Sequence, residues 1–120
     1  NYSSSDRRLK KNISNVPSVL AKLNQLQPVK YRFNQETDTA PLSLGLIAQD
    51  VQTLFPELVA TSPVRKNGEG GTLMVNYTGL GVIAVKAIQE QQVQIDQLKT
   101  ENAYLRTRLD AIEALLNIKK

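Results

Sequence analysis

Polar residues dominate the first fourteen positions, where Leu9 and Ile13 are the apolar side chains that follow Tyr2. With no period to read, this stretch predicts an irregular or extended leader. Val19, Leu20, Leu23 and Leu26 then recur at helical spacing, so PSVLAKLNQLQ predicts a short amphipathic helix. Pro17 fits its first turn, Ser14 or Asn15 its N-cap, and Pro28 its end. VKYRFN alternates, with Val29, Tyr31 and Phe33 on one face of a half-buried strand. After a polar loop, LSLGLIAQDVQTLFPELV is the densest apolar stretch of the first half. Leu44 to Ala48 is expected to be a short buried strand, with Leu46 and Ile47 buried on its opposite faces. Asp50 to Phe55 is expected to be one or two helical turns ended by Pro56. VRKNGEGGTLMVNY reads as strand, glycine-rich hairpin loop and strand, with Asn67-Gly68 and Gly70-Gly71 supplying positive φ values.

From Leu80 to Leu116 nothing breaks a helix: there is no proline, and no glycine after Gly81. With Ile88 at heptad position a, the a series is Ile88, Ile95, Asn102, Leu109 and Leu116. The d series is Gln91, Leu98, Leu105 and Ile112. This narrow stripe is too slim for a helix packed on its own domain and predicts a coiled coil. Glu101 at g and Arg106 at the next e have opposite signs, as do Arg108 and Glu113. In a parallel bundle those positions face each other across chains. Each exposed pair contributes only ~0.5 kcal/mol, but the pairing selects parallel orientation. Isoleucine at a with leucine at d favours two strands, whereas Ile112 at d and the polar Gln91 and Asn102 leave room for three. The expected architecture is α+β: a small part with a short helix and a few antiparallel strands, then a long C-terminal helix. Residues 5–79 form the globular part and 80–120 the helix.

Composition narrows the chemistry. The 120 residues hold no cysteine, histidine or tryptophan and only two phenylalanines. A disulfide framework, a thiolate metal site and a cysteine nucleophile are excluded together. The core has to be small and aliphatic. No apolar run reaches membrane-spanning length, so no membrane partner is expected for this segment. The net charge of +4 is concentrated in DRRLKK, residues 6–11, and the chain ends in Lys119 and Lys120. A basic run with no stacking aromatics beside it gives little support to nucleic-acid binding. A basic zipper is ruled out as well, because its basic segment continues directly into the coiled coil. The glycine loop lacks the Gly-Lys-Ser/Thr ending of a phosphate cradle.

Ser5 and Lys10 remain as candidate chemistry. Without histidine, a serine nucleophile needs a carboxylate or a neutral lysine to take its proton. A lysine is neutral near pH 7 only when burial or cationic neighbours favour that form. Arg7, Arg8 and Lys11 are candidates for such neighbours. Spacing alone carries no weight here.

SDRRLKKNI, then YRF, GLIAQDVQTLFPELV and MVNYTGLGVIAVKAIQE ahead of a coiled coil, together resemble one family over residues 4 to about 100. It is the C-terminal intramolecular chaperone domain with Ser-Lys self-cleaving activity, found on phage endosialidase tailspikes, tail fibres, neck appendages, some bacterial surface proteins and myelin regulatory factor. Its two specific motifs are Ser-Asp-x-Arg-x-Lys followed by Asn-Ile, and Gly-Leu-Ile-Ala-Gln-Asp/Glu-Val with a proline soon after.

The resemblance implies that Ser5 is the nucleophile, Lys10 its general base, and Asp6 and Arg8 supporting positions of the motif. It implies a homotrimer whose parallel helices assemble an upstream β-rich passenger of the same polypeptide, of which residues 1–4 are the end. A single-turnover serine endopeptidase activity, in cis or within the trimer, then releases the domain without metal or cofactor. Attack of Ser5 on the Ser4 carbonyl closes a five-membered ring, so the Ser4–Ser5 bond is the expected cut. The adjacent Ser5–Asp6 bond stays open as the alternative if another subunit's serine attacks. A virion-associated fibre or a bacterial surface protein is the implied setting, with the released domain soluble. The rival reading is a non-enzymatic trimerisation cap with an idle Ser5/Lys10 pair.

Overall fold

The computed structural model describes residues 1–116, so Lys119 and Lys120 of the basic C-terminus lie outside the described residues. After the leader come helix α1 (Leu20–Leu23), strands β1 (Val29–Tyr31) and β2 (Ser43–Gly45), and helix α2 (Ala48–Leu54). A 3₁₀ turn at Pro56–Leu58 leads into strands β3 (Val59–Thr61) and β4 (Leu73–Val75), and helix α3 runs from Tyr77 to Leu115. The class is α+β. The strands form two separate antiparallel ladders, β1 with β2 and β3 with β4. The 39 residues of α3 make a rod of about 58 Å at 1.5 Å per residue, within a molecule 82 Å long.

The core sits where α2, the Pro56–Leu58 turn and the first turns of α3 meet the residue just before α1. Val51, Phe55, Leu58, Ile83, Ala87 and Val19 are buried there, with Leu20, Leu23, Leu26, Leu46 and Leu54 packed around them. One aromatic ring and five aliphatic side chains are what the composition allows. Beyond Ala87 the helix leaves this core behind.

The first helix is shorter than its apolar spacing predicts. It has one turn and begins after Val19, not near Pro17, and neither Ser14 nor Asn15 caps it. The reason is a tertiary cap. Glu90 on α3 accepts from the Val19 N–H through Oε1 at 3.0 Å and from the Leu20 N–H through Oε2 at 2.8 Å. A carboxylate supplied from seventy residues away satisfies the donors that a local N-cap would otherwise hold.

The predicted buried strand over Leu44–Ala48 is also corrected. β2 ends at Gly45, Leu44 points outward at 76% exposure, and Ile47 is exposed rather than buried. Leu46 alone of that pair packs against the core. The chain turns helical early because the Ile47 carbonyl accepts from the N–H groups of Asp50 and Val51 at 3.0 and 3.2 Å. In the ladder Val29 faces Gly45 and Tyr31 faces Ser43. Phe33 falls beyond β1 at 60% exposure, its ring edge-on to Tyr31 with centroids 5.2 Å apart.

The hairpin forms, but its first strand is Val59–Thr61 and not the stretch from Val64, which is exposed in the loop. Val59 pairs with Val75 and Thr61 with Leu73. Ser62 and Thr72 extend the pairing before Pro63, which has no N–H to donate, ends it. Gly68, Gly70 and Gly71 take the positive φ values expected of them, at 84°, 98° and 71°. At Gly70 a side chain would also collide with the Pro63 carbonyl.

Helix α3 starts three residues before Leu80. Asn76 Oδ1 accepts from the Gly79 N–H at 2.9 Å, while the Asn76 N–H donates to the Leu58 carbonyl at 2.7 Å. That cap fixes the start and ties the helix to the core. Gly79 sits tightly inside the first turn: a Cβ there would stand 2.7 Å from Leu58 Cδ2 and would displace that side chain.

Burial alone would push the Glu90 carboxyl up, but bonds from the Ser18 hydroxyl, the Leu20 and Val19 N–H groups, and nearby Lys86 outweigh it and hold the carboxyl below its ordinary value of 4.5. A carboxyl lowered in the folded state stabilises above its unfolded value and loses that contribution as pH falls through the lowered one. The gap in melting temperature between wild type and Glu90→Gln is therefore expected to shrink from about pH 6 to about pH 3, as thermal melts across that range would show.

Candidate functional site

The leader folds into one compact turn. Asp6 caps a 3₁₀ turn over Arg7–Leu9, its Oδ1 accepting from the Arg8 N–H at 2.8 Å. The Arg8 side chain then closes back on the same carboxylate, donating from Nε at 3.1 and 3.2 Å and from Nη2 at 2.8 Å. Backbone bonds from Leu9 N–H to the Asp6 carbonyl and from Lys10 N–H to the Arg7 carbonyl complete the turn. The Arg8 guanidinium, and then its backbone N–H, hold the Asp6 carboxyl below its ordinary range. Asp6 in return raises Arg8. The pair stays ionised through neutral pH and works as a clasp.

Ser5 and Lys10 flank that clasp, and the turn brings them together: Lys10 Nζ lies 2.7 Å from Ser5 Oγ. This is within the range that proton transfer between a nucleophile and its base requires. Ser4 directly precedes the turn. Asn12 adopts φ 55°, a left-handed conformation that asparagine tolerates better than most residues with a side chain. It redirects the chain just past Lys10, which gives the asparagine of the Asn-Ile motif a physical role. The whole leader is exposed on the single chain, with Leu9 and Ile13 among its uncovered apolar side chains.

Of the proposed seam, Ile88, Ile95, Leu98, Leu105, Leu109, Ile112 and Leu116 are 44–64% exposed on the single chain. Gln91 and Asn102 are exposed with them. Leu116 is the C-cap that follows Leu115, the last residue of α3, and the other eight lie within the helix.

Sequence reasoning missed the residues that join the pieces. Tyr77 Oη accepts from the Leu46 N–H at 3.0 Å, linking the start of α3 to the segment between β2 and α2. Gly45 lies under that hydroxyl, where a Cβ would come within 2.7 Å of Tyr77 Oη and 3.1 Å of the Tyr31 ring. Gly45 and Tyr77 both fall inside the stretches GLIAQD and VNYTGLG, so the motif positions were visible and their contact was not. Glu90 gave no signal, because it is one more polar residue off the a/d stripe.

The leader thus holds a clasped Ser-Lys turn, the body is a small α+β fold, and the long helix carries an exposed apolar stripe. Residues 5–60 match the family model described as Chaperone of endosialidase, whose name designates a peptidase, and the match opens on Ser5. The long tail fiber protein Gp37 of Salmonella phage S16 is 32% identical over 103 residues, 82% of this chain. The chain spans about 13% of the length of that relative. Over residues 5–60 the chain carries the sequence pattern of the chaperone-of-endosialidase family.

Proposed function

We propose that this chain is an intramolecular chaperone that trimerises through α3, guides the folding of an upstream fibre-like passenger, and then cuts itself free through Ser5 and Lys10. The observation that carries the reading is the 2.7 Å approach of Lys10 Nζ to Ser5 Oγ, held by the Asp6–Arg8 clasp. Lys10, as the free amine, takes the Ser5 hydroxyl proton while Oγ attacks the Ser4 carbonyl carbon. The tetrahedral intermediate collapses with the proton returned to the Ser5 nitrogen, breaking the Ser4–Ser5 amide and leaving an ester on Oγ. Water then hydrolyses the ester, giving a Ser4 carboxyl and restoring the Ser5 hydroxyl. Backbone N–H groups stabilise the oxyanion in both steps. Packing of neighbouring chains over the leader in the trimer is the proposed means by which water is removed from the amine.

Lys10→Arg is expected to leave the chain uncut, because a guanidinium stays protonated at any workable pH. Lys11→Arg is expected to cut as wild type does. Gel analysis of chains carrying a tag before residue 1 separates the two, and equal processing in both would remove Lys10 from the mechanism.

The trimer rests on the uncovered seam of α3. Covering what remains exposed of one such leucine or isoleucine is worth roughly half of the 1.5–3 kcal/mol of full burial, and seven such positions on each helix together drive association. Sedimentation equilibrium is expected to give three chains per particle for wild type and one for Leu98→Lys combined with Leu105→Lys. A wild-type monomer at tens of micromolar would contradict the seam.

The exposure of the clasped turn on a single chain favours a second reading, a trimerisation cap with the pair idle. It predicts the same sedimentation and no loss of the tag.

A further inference from the structure

We propose that Glu90 is a positioning residue that fixes where the leader leaves helix α3, so that assembling the helix and placing the Ser5–Lys10 turn become one event. The inference rests on the self-cleavage reading above. Its basis is the two-fold grip of one carboxylate on one short segment: Glu90 Oε1 accepts from the Val19 N–H at 3.0 Å and Oε2 from the Leu20 N–H at 2.8 Å. The same segment runs along α3. Asn15 and Val16 share a surface hollow with Val82, Val85 and Lys86, and Ser18 and Leu20 share the next one with Glu90 and Val93.

Between Lys10 and this grip the chain forms no helix or strand, only the bend at Asn12. Nine residues of extended chain span at most ~30 Å, so the grip limits how far from Glu90 the turn can be held. Glu90 occupies heptad position c, between Ile88 at a and Gln91 at d and off their stripe. The helix can therefore hold the leader on one face and a neighbouring helix on another without competition. When parallel helices come into register, each carboxylate carries its own leader to the same height on the rod. A loose segment at Ser18–Leu20 would let the turn wander even in a well-formed assembly.

The test uses the passenger-fused chain with four proteins: wild type, Glu90→Ala, Glu90→Gln and Leu54→Ala. Leu54 is half-buried against the core and takes no part in the hydrogen bonds of the turn or the grip, so Leu54→Ala serves as the control for general destabilisation. Cleavage rates are measured well below each melting temperature, with sedimentation and amide hydrogen exchange on the same samples. Glu90→Ala is expected to remain assembled, lose protection at the Val19 and Leu20 amides, and cut at least tenfold more slowly. Glu90→Gln keeps one carbonyl acceptor and is expected to recover part of both the protection and the rate, while Leu54→Ala cuts at the wild-type rate. The inference is overturned if Glu90→Ala loses the amide protection yet cuts as fast as wild type. It is equally overturned if Leu54→Ala and Glu90→Ala slow in proportion to their melting temperatures. An uncut wild type would overturn the self-cleavage reading and this inference with it, whereas a cutting wild type beside a fast Glu90→Ala overturns this inference alone.

Discussion

Phe55→Ala is expected to destabilise the fold by ~3–5 kcal/mol, the range for emptying an aromatic site in a closed core. Phe55 is 2% exposed and follows Val51, at 0%, by one helical turn. Its ring sits where α2 gives way to the Pro56–Leu58 turn, so both elements lose their common contact when it goes. Lys22 Nζ lies 5.7 Å from the ring centroid, and that cation–π contact is lost as well. With six buried side chains in the core cluster, little remains to close the cavity. A small domain is stable by only ~5–15 kcal/mol, so the loss takes a large share of the total. Phe33→Ala is the contrasting case: at 60% exposure outside any strand, it is expected to change stability by no more than about 1 kcal/mol. Urea titrations at one fixed chain concentration would compare the two, and equal midpoints would place the core elsewhere.

The long helix was the most legible element, because thirty-odd residues without a breaker and with one apolar stripe leave few other structures open. Its start was read late, at Leu80, since Gly79 and Gly81 look like an approach to a helix and not part of one. The tight fit at Gly79 comes from Leu58, a contact that local pattern does not contain. The hairpin was legible through its glycines but shifted along its first strand, because Val64 carries the apolar signal while Pro63 ends the ladder before it. The short buried strand failed for a related reason. Leu44, Leu46 and Ile47 are all apolar, yet the Ile47 carbonyl is already engaged by helix α2, and alternation says nothing of that. At the candidate site the residue types and their spacing were visible in SSSDRRLKKNI. The clasp that turns a spacing of five into a 2.7 Å approach was not, since it depends on Arg8 folding back onto Asp6. Glu90 was wholly hidden: a polar residue on the outer face of a helix shows its role only when the segment it caps is seen beside it.

Linking cleavage to assembly has a physical rationale within the proposed function. A parallel helical nucleus lowers the entropic cost of bringing three passenger chains into register. Once that nucleus is cut away, an opened passenger has no ready route back, so the product is held by a slow unfolding rate more than by equilibrium. The exposed, self-contained clasp suits a junction of this kind, because it forms from six consecutive residues and needs no partner segment to bring Ser5 and Lys10 together.

Ser5→Ala tests the central claim most directly. Removing one exposed hydroxyl from the leader is expected to leave folding and association unchanged, since it takes no atom from the core and none from the Asp6–Arg8 clasp. The measurement is the intact mass of the passenger-fused chain, wild type beside Ser5→Ala, after assembly. Wild type is expected to resolve into two species whose masses sum to the precursor plus one water, the smaller beginning at Ser5. Ser5→Ala is expected to show the uncut precursor alone while sedimenting as wild type does before processing. Two fragments from Ser5→Ala at the wild-type rate, or an uncut wild type, would contradict the account and leave the leader as a solvated basic tail on an assembly domain.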